Sequence, residues 1–269
     1  MIMKEIILSI RHISKSFYSK TSGNNYILKN LDLDIGRNQI TALIGGNGTG
    51  KTTLFNIISR FVEPDNPKNA KILYNDKNLL TYNAYQLASL GIGRLFQDAH
   101  IFPDLSILEN MLVADADMYG ENPFENILFS KKVRFKEKER TEKAVSILNE
   151  LFGNKSIFVE QTHLPAGNLS YGQQRLLGLA RLMMGNYQLI LLDEPTAGVN
   201  IKLNDKISEI ILLLKKKGKT VFLIEHNMAF VRKIADETAF MDKQKILLKG
   251  KTSEVLDNEN VQKNYLGII

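Results

Sequence analysis

The chain has 269 residues, of which 44% are apolar and 24% are charged, so it is long enough for a large soluble domain with an ample core. Its net charge of +6 is spread along the chain and does not choose between nucleotide, nucleic acid and anionic lipid as a partner. The absence of cysteine excludes disulfides and thiolate metal sites and fits a reducing cytosol, and no segment approaches the ~20 apolar residues of a membrane span.

The amino-terminal segment is too short and too interrupted by charge to be a signal peptide, so we expect any role at a membrane to be exercised from its surface. In chain order, hydrophobic periodicity and turn residues predict the following elements for the first third of the chain: strands at 5–10 and 26–35 with a polar loop at 19–25 between them, a buried strand at 39–44, a helix that ends near Arg60, a loop at 61–70, and a strand at 71–74.

The rest of the chain is first mainly helical and then alternates between strands and helices. The predicted elements are helices near 105–118, 136–151 and 171–184, a buried strand at 188–193, a helix from 201 that Gly218 closes, a strand at 220–224, a helix at 228–235, a strand pair around 238–249, and a helix near 252–265. This alternation predicts a parallel α/β sheet with a helical insertion between two of its strands.

The strand at 39–44 leads into the most informative stretch, which fits the pattern G-x-x-x-x-G-K-[ST] and is followed by a helix. Its glycines let successive N–H groups point at one anion, and the helix start adds unpaired donors. Lys51 can reach the outer phosphates of a nucleotide, and the Thr52 hydroxyl can bind Mg²⁺. The alternative is a glycine-rich turn with a surface lysine. It is a poor one, because all eight residues fit the pattern and lie between a predicted strand and a predicted helix. The predicted nucleotide-binding residues of this P-loop are Gly45, Gly46, Asn47, Gly48, Thr49, Gly50, Lys51, Thr52 and Thr53.

A second element is the apolar strand at 188–193, which ends in Asp193 and is followed by Glu194. An acid at the carboxyl edge of a parallel sheet is how such folds hold the Mg²⁺ of a bound nucleotide. We therefore predict that Asp193 holds the metal and that Glu194, turned the other way, acts on the attacking water. A solvated turn is the alternative, and a complete P-loop in the same chain argues against it.

The third element is the segment Leu169–Gln174, which opens a helix. Ser170 is a natural N-cap, and Gly172 keeps the first helical turn uncrowded. Together the three elements resemble the ATP-binding cassette (ABC) ATPases, and the resemblance spans essentially the whole chain. It implies an α/β fold in which a P-loop NTPase core of the ABC type carries an inserted helical subdomain and an antiparallel β subdomain.

The resemblance implies a single ABC ATPase domain, residues 1–269. The nucleotide-binding core with its β subdomain comprises residues 1–95 and 186–269. The mainly helical subdomain, which carries the Ser170 segment, comprises residues 96–185.

The resemblance also assigns roles that the patterns alone leave open. It implies that Ser170, Gly172 and Gln173 contact the γ-phosphate of ATP held by the P-loop of a second subunit. Gln97 resembles a glutamine that senses Mg²⁺ and links to a membrane partner, and His226 resembles a histidine that contacts the γ-phosphate and orients the water. The implied catalytic residues are Glu194, His226, Lys51 and Gln97, and the implied metal-holding residues are Thr52, Gln97 and Asp193.

Two positions fit the family pattern less closely. Asn200 falls in a loop that crosses the dimer interface, where many members of the family carry aspartate. Phe17 resembles the aromatic residue that stacks on adenine. The polar loop at 19–25 loosens that alignment, so Tyr18, Tyr26 and a plain core role for Phe17 stay open.

Several short segments look like the ATP-binding subunits of branched-chain amino acid importers. Urea and short-amide importers share much of the pattern, and some lipopolysaccharide exporters share less of it. The segments are Gly93–Gln97, Ile101–Phe102, Leu105–Asn110, Tyr171, Ala197–Asn200, Ile224–Met228 and Asn264–Gly267.

We therefore predict an ATP-hydrolysing subunit that powers import of a small polar solute, most of all branched-chain amino acids, with ATP and Mg²⁺ as cofactors. The implied partners are a second cassette, permease subunits near residues 97–110 and an extracytoplasmic solute-binding protein, with no nucleic acid. The implied location is the cytoplasmic face of the cell membrane. A non-transport ABC ATPase is the alternative, against which the single P-loop and the lack of sustained heptads count. A switch that barely hydrolyses ATP is disfavoured by the presence of Lys51, Asp193, Glu194 and His226.

Overall fold

The strands of the protein form two sheets in a computed structural model that describes residues 5–19, 23–98, 100–115 and 130–263. In chain order the strands are β1 (Ile6–Ser19), β2 (Gly23–Gly36), β3 (Ile40–Ile44), β4 (Lys71–Tyr74), β5 (Lys77–Asn78), β6 (Ile92–Leu95), β7 (Leu189–Asp193), β8 (Thr220–Ile224), β9 (Glu237–Asp242) and β10 (Lys245–Lys251). The first sheet has the order β2-β1-β4-β5 and is antiparallel.

The second sheet has the order β10-β9-β3-β8-β7-β6. From β9 to β6 every neighbouring pair is parallel, and β10 pairs antiparallel with β9 at one edge. Every residue of β3, β7 and β8 is buried, as expected for parallel strands that are covered on both faces. This explains why these strands are continuous apolar runs in the sequence.

Helices cover this second sheet and fill the insertion between β6 and β7. They are α1 (Lys51–Ile58), α2 (Ala84–Leu90), α3 (Ile107–Val113), α4 (Ser130–Phe152), α5 (Ile157–Glu160), α6 (Tyr171–Met184), α7 (Ile201–Lys216), α8 (Met228–Ile234), α9 (Thr252–Leu256) and α10 (Glu259–Val261). Helices α3 to α6 form the insertion. Within the described ranges, no helix combines the length and the apolar character that a membrane crossing requires.

The two faces of the second sheet belong to two hydrophobic cores. Because side chains alternate along a strand, Ile190 and Leu192 of β7 pack into a core with the inserted helices, α7 and α8. Leu189 and Leu191 point to the opposite face and pack into a core with β1, β2 and α1. The sheet therefore joins the helical insertion to the antiparallel sheet through one buried layer.

The predicted α/β class, the helical insertion and the antiparallel sheet are confirmed. The predicted loop at 19–25 is wrong at both ends, since β1 continues to Ser19 and β2 begins at Gly23, with Phe17 opposite Asn25 and Tyr18 opposite Asn24. The sequence pattern favours a loop because these residues are polar. In the structure their backbone N–H and C=O groups are satisfied by the hydrogen bonds between β1 and β2.

Four elements, β5, β6, α2 and α5, were not predicted from the sequence. The carboxy-terminal segment was predicted as one helix, whereas the chain has α9 and α10, separated at Asp257–Asn258. The predicted helix at 105–118 corresponds to α3, which begins at Ile107 and ends at Val113. Parts of two other predictions, residues 116–118 of that helix and the segment Asn264–Gly267, lie outside the described residues.

Candidate nucleotide site

The P-loop connects the buried end of β3 to the first turn of α1. Gly50 has φ +104° and lies against Leu28 and the carbonyl of Ile27, so a β-carbon there would meet both at 2.7–2.8 Å. A β-carbon on Gly45 would collide with the carbonyl oxygen of Met241. These two glycines are therefore required by close approach of the backbone to its neighbours, and they give the loop its tight curl.

Lys51 is buried at the base of this loop, with 5% of its surface exposed. Its Nζ donates to the carbonyl oxygens of Gly45, at 2.8 Å, and Gly46, at 2.7 Å. Burial lowers the pKa of the ammonium, and the nearby carboxylates of Glu194 and Asp193 partly oppose that shift. The side chain thus wraps back across the loop and holds its cationic end over the concave side, where an anion would bind.

Asp193 ends β7 with a carboxylate that is almost fully buried. Its Oδ2 accepts from Nη2 of Arg94 at 3.2 Å, while its Oδ1 is buried without a hydrogen-bond partner among the described residues. Burial raises the pKa of the Asp193 carboxyl, and the Arg94 guanidinium offsets part of the increase. A carboxylate oxygen without a partner and the hydroxyl of Thr52 are oxygen ligands of the kind that Mg²⁺ prefers, so the chemistry of these residues fits the metal.

Arg94 was not assigned a role in the site from the sequence. It lies on β6, donates to Ser59 Oγ at 3.0 Å as well as to Asp193, and its guanidinium carbon is 4.2 Å from the centroid of the Phe96 ring. The feature of the sequence that could have indicated a role for Arg94 is that it is a single charged residue inside a short apolar run. Because β6 was not predicted, nothing connected that charge to Asp193.

Glu194 contacts two of the other predicted site residues. Its backbone is in the left-handed region, with φ +47°. Its Oε1 lies 3.0 Å from His226 Nε2, and its Oε2 accepts from Gln97 Nε2 at 3.2 Å. The structure thus brings Gln97, Glu194 and His226 together from the loops that follow β6, β7 and β8.

A cavity of about 300 Å³ lies over the P-loop and in front of Glu194 and His226. Its size is at the lower end of the range for small-molecule pockets. Phe17, Tyr18 and Tyr26 are all exposed, so the alternative of a core role for Phe17 is wrong. Of the three, Phe17 is part of the described wall and the two tyrosines are not. The described wall comprises Phe17, Ile27, Asn47, Gly48, Gly50, Lys51, Thr52, Thr53, Glu194 and His226.

The Ser170 segment lies apart from this cavity and faces outward. Ser170 is exposed, its hydroxyl accepts from the N–H of Gln173, and the Gln173 side chain accepts from the N–H of Ser170, which forms a capping box at the start of α6. Gly172 is buried against Leu203 of α7, where a β-carbon would collide with that side chain. Asn200 caps α7, with Oδ1 accepting from the N–H of Leu203 at 3.0 Å.

Arg175 is a second residue to which the sequence patterns assigned no role. It is fully buried in α6 and donates to the Tyr171 hydroxyl at 2.8 Å, to the carbonyl of Ala197 at 3.3 Å and to the carbonyl of Phe96 at 3.4 Å. One guanidinium thus links the start of α6 to the loop before Gln97 and to the loop after Glu194. The signal was a charge on the apolar face of a helix.

The sequence profile of the ABC transporter family matches residues 28–197. The high-affinity branched-chain amino acid transport ATP-binding protein LivG of Escherichia coli K12 is 31% identical, over 98% of this chain and 99% of that protein. The probable LivG of Archaeoglobus fulgidus is 33% identical, over 97% and 95%. A solved ATP-binding cassette of an ABC transporter in its ADP conformation is 32% identical with a TM-score of 0.79, over 98% of this chain and 99% of that one. A nucleotide-free cassette is 31% identical with a TM-score of 0.74, over 98% and 96%.

Arg94→Met should lower the free energy of unfolding by about 3 kcal/mol near neutral pH, because it leaves the buried Asp193 carboxylate without its cation. The pKa of Asp193 is already raised by burial, so the carboxyl takes up a proton as the pH falls and the difference between the two proteins should shrink. Urea unfolding at neutral and at acidic pH measures both effects. Arg232→Met, which breaks an exposed pair with Asp257, is the control. A loss of the same size at every pH would mean that Arg94 stabilises the fold by packing alone.

Proposed function

The chain belongs to the ABC transporter family as an ATP-hydrolysing cassette, and we propose that it powers the uptake of branched-chain amino acids. The observation that carries this proposal is the similarity, over nearly the whole chain, to proteins named as branched-chain amino acid transport ATP-binding proteins. The cavity lined by Lys51, Glu194 and His226 supports the ATP-hydrolysing part of this proposal, since it places a cation, a carboxylate and an imidazole around one space.

We propose that the P-loop holds the phosphates of ATP, with its N–H groups and Lys51 Nζ as donors. Thr52, Gln97 and Asp193 would hold Mg²⁺, and Asp193 Oδ1, which has no hydrogen-bond partner among the described residues, is available to bind it. When bound, this ion would neutralise negative charge that develops on the phosphate oxygens. Phe17, in the cavity wall, would stack on adenine.

Glu194 would polarise the attacking water as a general base. Its two oxygens are oriented by His226 and Gln97, so the carboxylate faces the cavity in a fixed direction. His226 would steady the γ-phosphate, and Lys51 would offset charge in the transition state. Gln97 would report the presence of nucleotide to the rest of the protein, because it touches the carboxylate that acts on the water.

A second cassette would complete each site. Ser170, Gly172 and Gln173 stand at the start of the 14-residue helix α6, whose amino-terminal dipole favours an anion, yet they are not part of the described wall of the cavity in their own chain. Two copies placed head to tail would set this segment of one chain against the ATP held by the P-loop of the other. The γ-phosphate would then favour the closed dimer, and hydrolysis would release it.

Permease subunits would dock on a groove of about 440 Å³ between the second sheet and the inserted helices. Arg94 and Phe96 lie in its wall together with His100, Val113 and Arg181. Because Gln97 directly follows Phe96, a partner in this groove would sense the state of the nucleotide site. We propose that the protein is peripheral, on the cytoplasmic face of the membrane, and that it works with an extracytoplasmic solute-binding protein and without nucleic acid. The names of its relatives as transport ATP-binding proteins support this proposal.

Lys51→Ala should weaken ATP binding by about tenfold to a hundredfold, because it removes a charge-assisted donor from the phosphate cradle. Equilibrium binding of a fluorescent ATP analogue measures the change. Lys216→Ala, in the last turn of α7, is the control. Unchanged affinity in Lys51→Ala would remove the P-loop assignment.

The same variant tests the transport proposal in cells. Deletion of the gene should abolish uptake of labelled leucine, isoleucine and valine, the native gene should restore it, and the Lys51→Ala gene should not. Normal uptake in the deletion strain would refute the proposed cargo without affecting the assignment as an ATPase.

Glu194→Gln should retain ATP binding and lower turnover by about a hundredfold or more, because an amide is no general base. With ATP bound and not hydrolysed, the variant should accumulate as a dimer in size-exclusion chromatography with light scattering. Glu254→Gln, whose side chain is exposed, is the control. Turnover equal to that of the native protein would contradict the proposed role of Glu194.

Ser170→Arg should lower ATP hydrolysis by about tenfold or more while the P-loop of the same chain still binds ATP, since bulk and charge would stand against the neighbour's phosphate. Mixing this variant with Lys51→Ala separates the two halves of the site. A dimer with one intact composite site should regain part of the activity. Full activity of Ser170→Arg on its own would contradict the shared site.

A further inference from the structure

Glu225 directly follows β8 and carries a buried carboxylate to which the proposed mechanism gives no role. Its Oε1 accepts from the N–H of Thr196 at 2.9 Å and from the Thr196 hydroxyl at 2.7 Å. Its Oε2 accepts from the N–H groups of His226, at 3.0 Å, and Asn227, at 3.3 Å. Oε1 therefore accepts hydrogen bonds from the loop after β7, and Oε2 accepts them from the loop after β8.

These loops carry Glu194 and His226, whose side chains lie 3.0 Å apart. The backbone ladder between the two strands ends with the N–H of Glu194 donating to the carbonyl of Ile224 at 3.0 Å. Beyond that point the Glu225 carboxylate bridges the two segments, because it accepts from the backbone of Thr196 after β7 and from the backbone of His226 and Asn227 after β8. The bridge is anchored two residues after Glu194 and at His226 itself.

We infer that Glu225 is a positioning residue that sets the separation and orientation of Glu194 and His226. The inference rests on the roles in ATP hydrolysis proposed for those two residues. It gives Glu225 no contact with ATP or water. Its effect passes through the backbone of Thr196 and of His226.

The chemistry of the four donors requires a carboxylate at this position. An ionised carboxylate is acceptor-only and has two oxygens, whereas the glutamine amide has one acceptor oxygen and an NH₂ group. In glutamine the oxygen could serve only one loop, and the NH₂ group would face the N–H donors of the other. Among the described residues Glu225 has no ion-pair partner, so these hydrogen bonds compensate for burial of its charge.

Glu225→Gln should therefore separate turnover from binding. We expect kcat for ATP hydrolysis to fall on the order of tenfold to a hundredfold, as for a small displacement of reacting groups. The dissociation constant of ATP should stay within about twofold, because the P-loop donors are untouched. The imidazole resonances of His226, identified by their loss in His226→Ala, should shift. Glu209→Gln, an exposed carboxylate paired with Lys206, is the matched control and should alter none of these readouts.

A second series covers the case in which Glu225→Gln does not fold. Thr196→Val keeps the shape of the side chain but removes one of the donors, and it should lower kcat by a few-fold and shift the His226 resonances. Thr196→Ser, which restores the hydroxyl, should restore both. Where Glu225→Gln does fold, the loss in kcat of the double variant with Thr196→Val should be smaller than the product of the single losses, because both changes break the same bridge.

Unshifted His226 resonances in folded Glu225→Gln, or in Thr196→Val if the former does not fold, would overturn the inference whatever the turnover. Parallel losses of ATP affinity and turnover would also overturn it, since they would indicate general damage to the site. Native turnover in Glu194→Gln would instead refute the proposed function of that residue, and the resonance test would still decide the role of Glu225.

Discussion

Backbone hydrogen bonds hold β8 between β3 and β7, so that Ile224 lies opposite Leu43 on one side and opposite Asp193 on the other. Because the three strands run in the same direction, their carboxyl ends meet at one edge of the sheet. The P-loop and the loops that carry Glu194 and His226 begin within two residues of that row. The backbone hydrogen bonds between these strands therefore set the spacing of the loops that form the candidate site, independently of side-chain contacts. The buried apolar residues of the strands stabilise this arrangement from both faces of the sheet.

Three carboxylates, those of Asp193, Glu194 and Glu225, lie at this edge, and they differ in the hydrogen-bond donors that surround them. Glu225 is saturated by four donors, so it can hold the backbone but has little capacity for a new ligand. Asp193 has one oxygen paired with Arg94 and one without a partner among the described residues, which leaves it suited to a cation. Glu194 is held by two side chains and borders the cavity, where it can meet a reactant. The number of donors that reach each carboxylate thus supports the three different roles that we propose for them, namely a backbone tether for Glu225, a metal ligand for Asp193 and a base for Glu194.

The features predicted correctly from the sequence are those encoded by contiguous residues. The P-loop at 45–52 and the strand at 188–193 each carry their whole pattern within a few positions, and burial on both faces makes the strand uniformly apolar. The features that were missed depend on contacts between distant parts of the chain. Arg94 interrupts the pattern of β6, and its partner Asp193 lies 99 residues away. Arg175 meets carbonyl groups 79 and 22 residues away, and no local pattern specifies those distances.

The buried Arg175 has a mechanical consequence. Its guanidinium donates hydrogen bonds to the carbonyls of Phe96 and Ala197 and to the Tyr171 hydroxyl in the first turn of α6, so it couples these three segments. Any rotation of the inserted helices that preserves these bonds must carry the residues beside Gln97 and Glu194 with it. The hinge of such a rotation must therefore lie outside this junction, and a displacement of α6 would change the position of the Glu194 carboxylate.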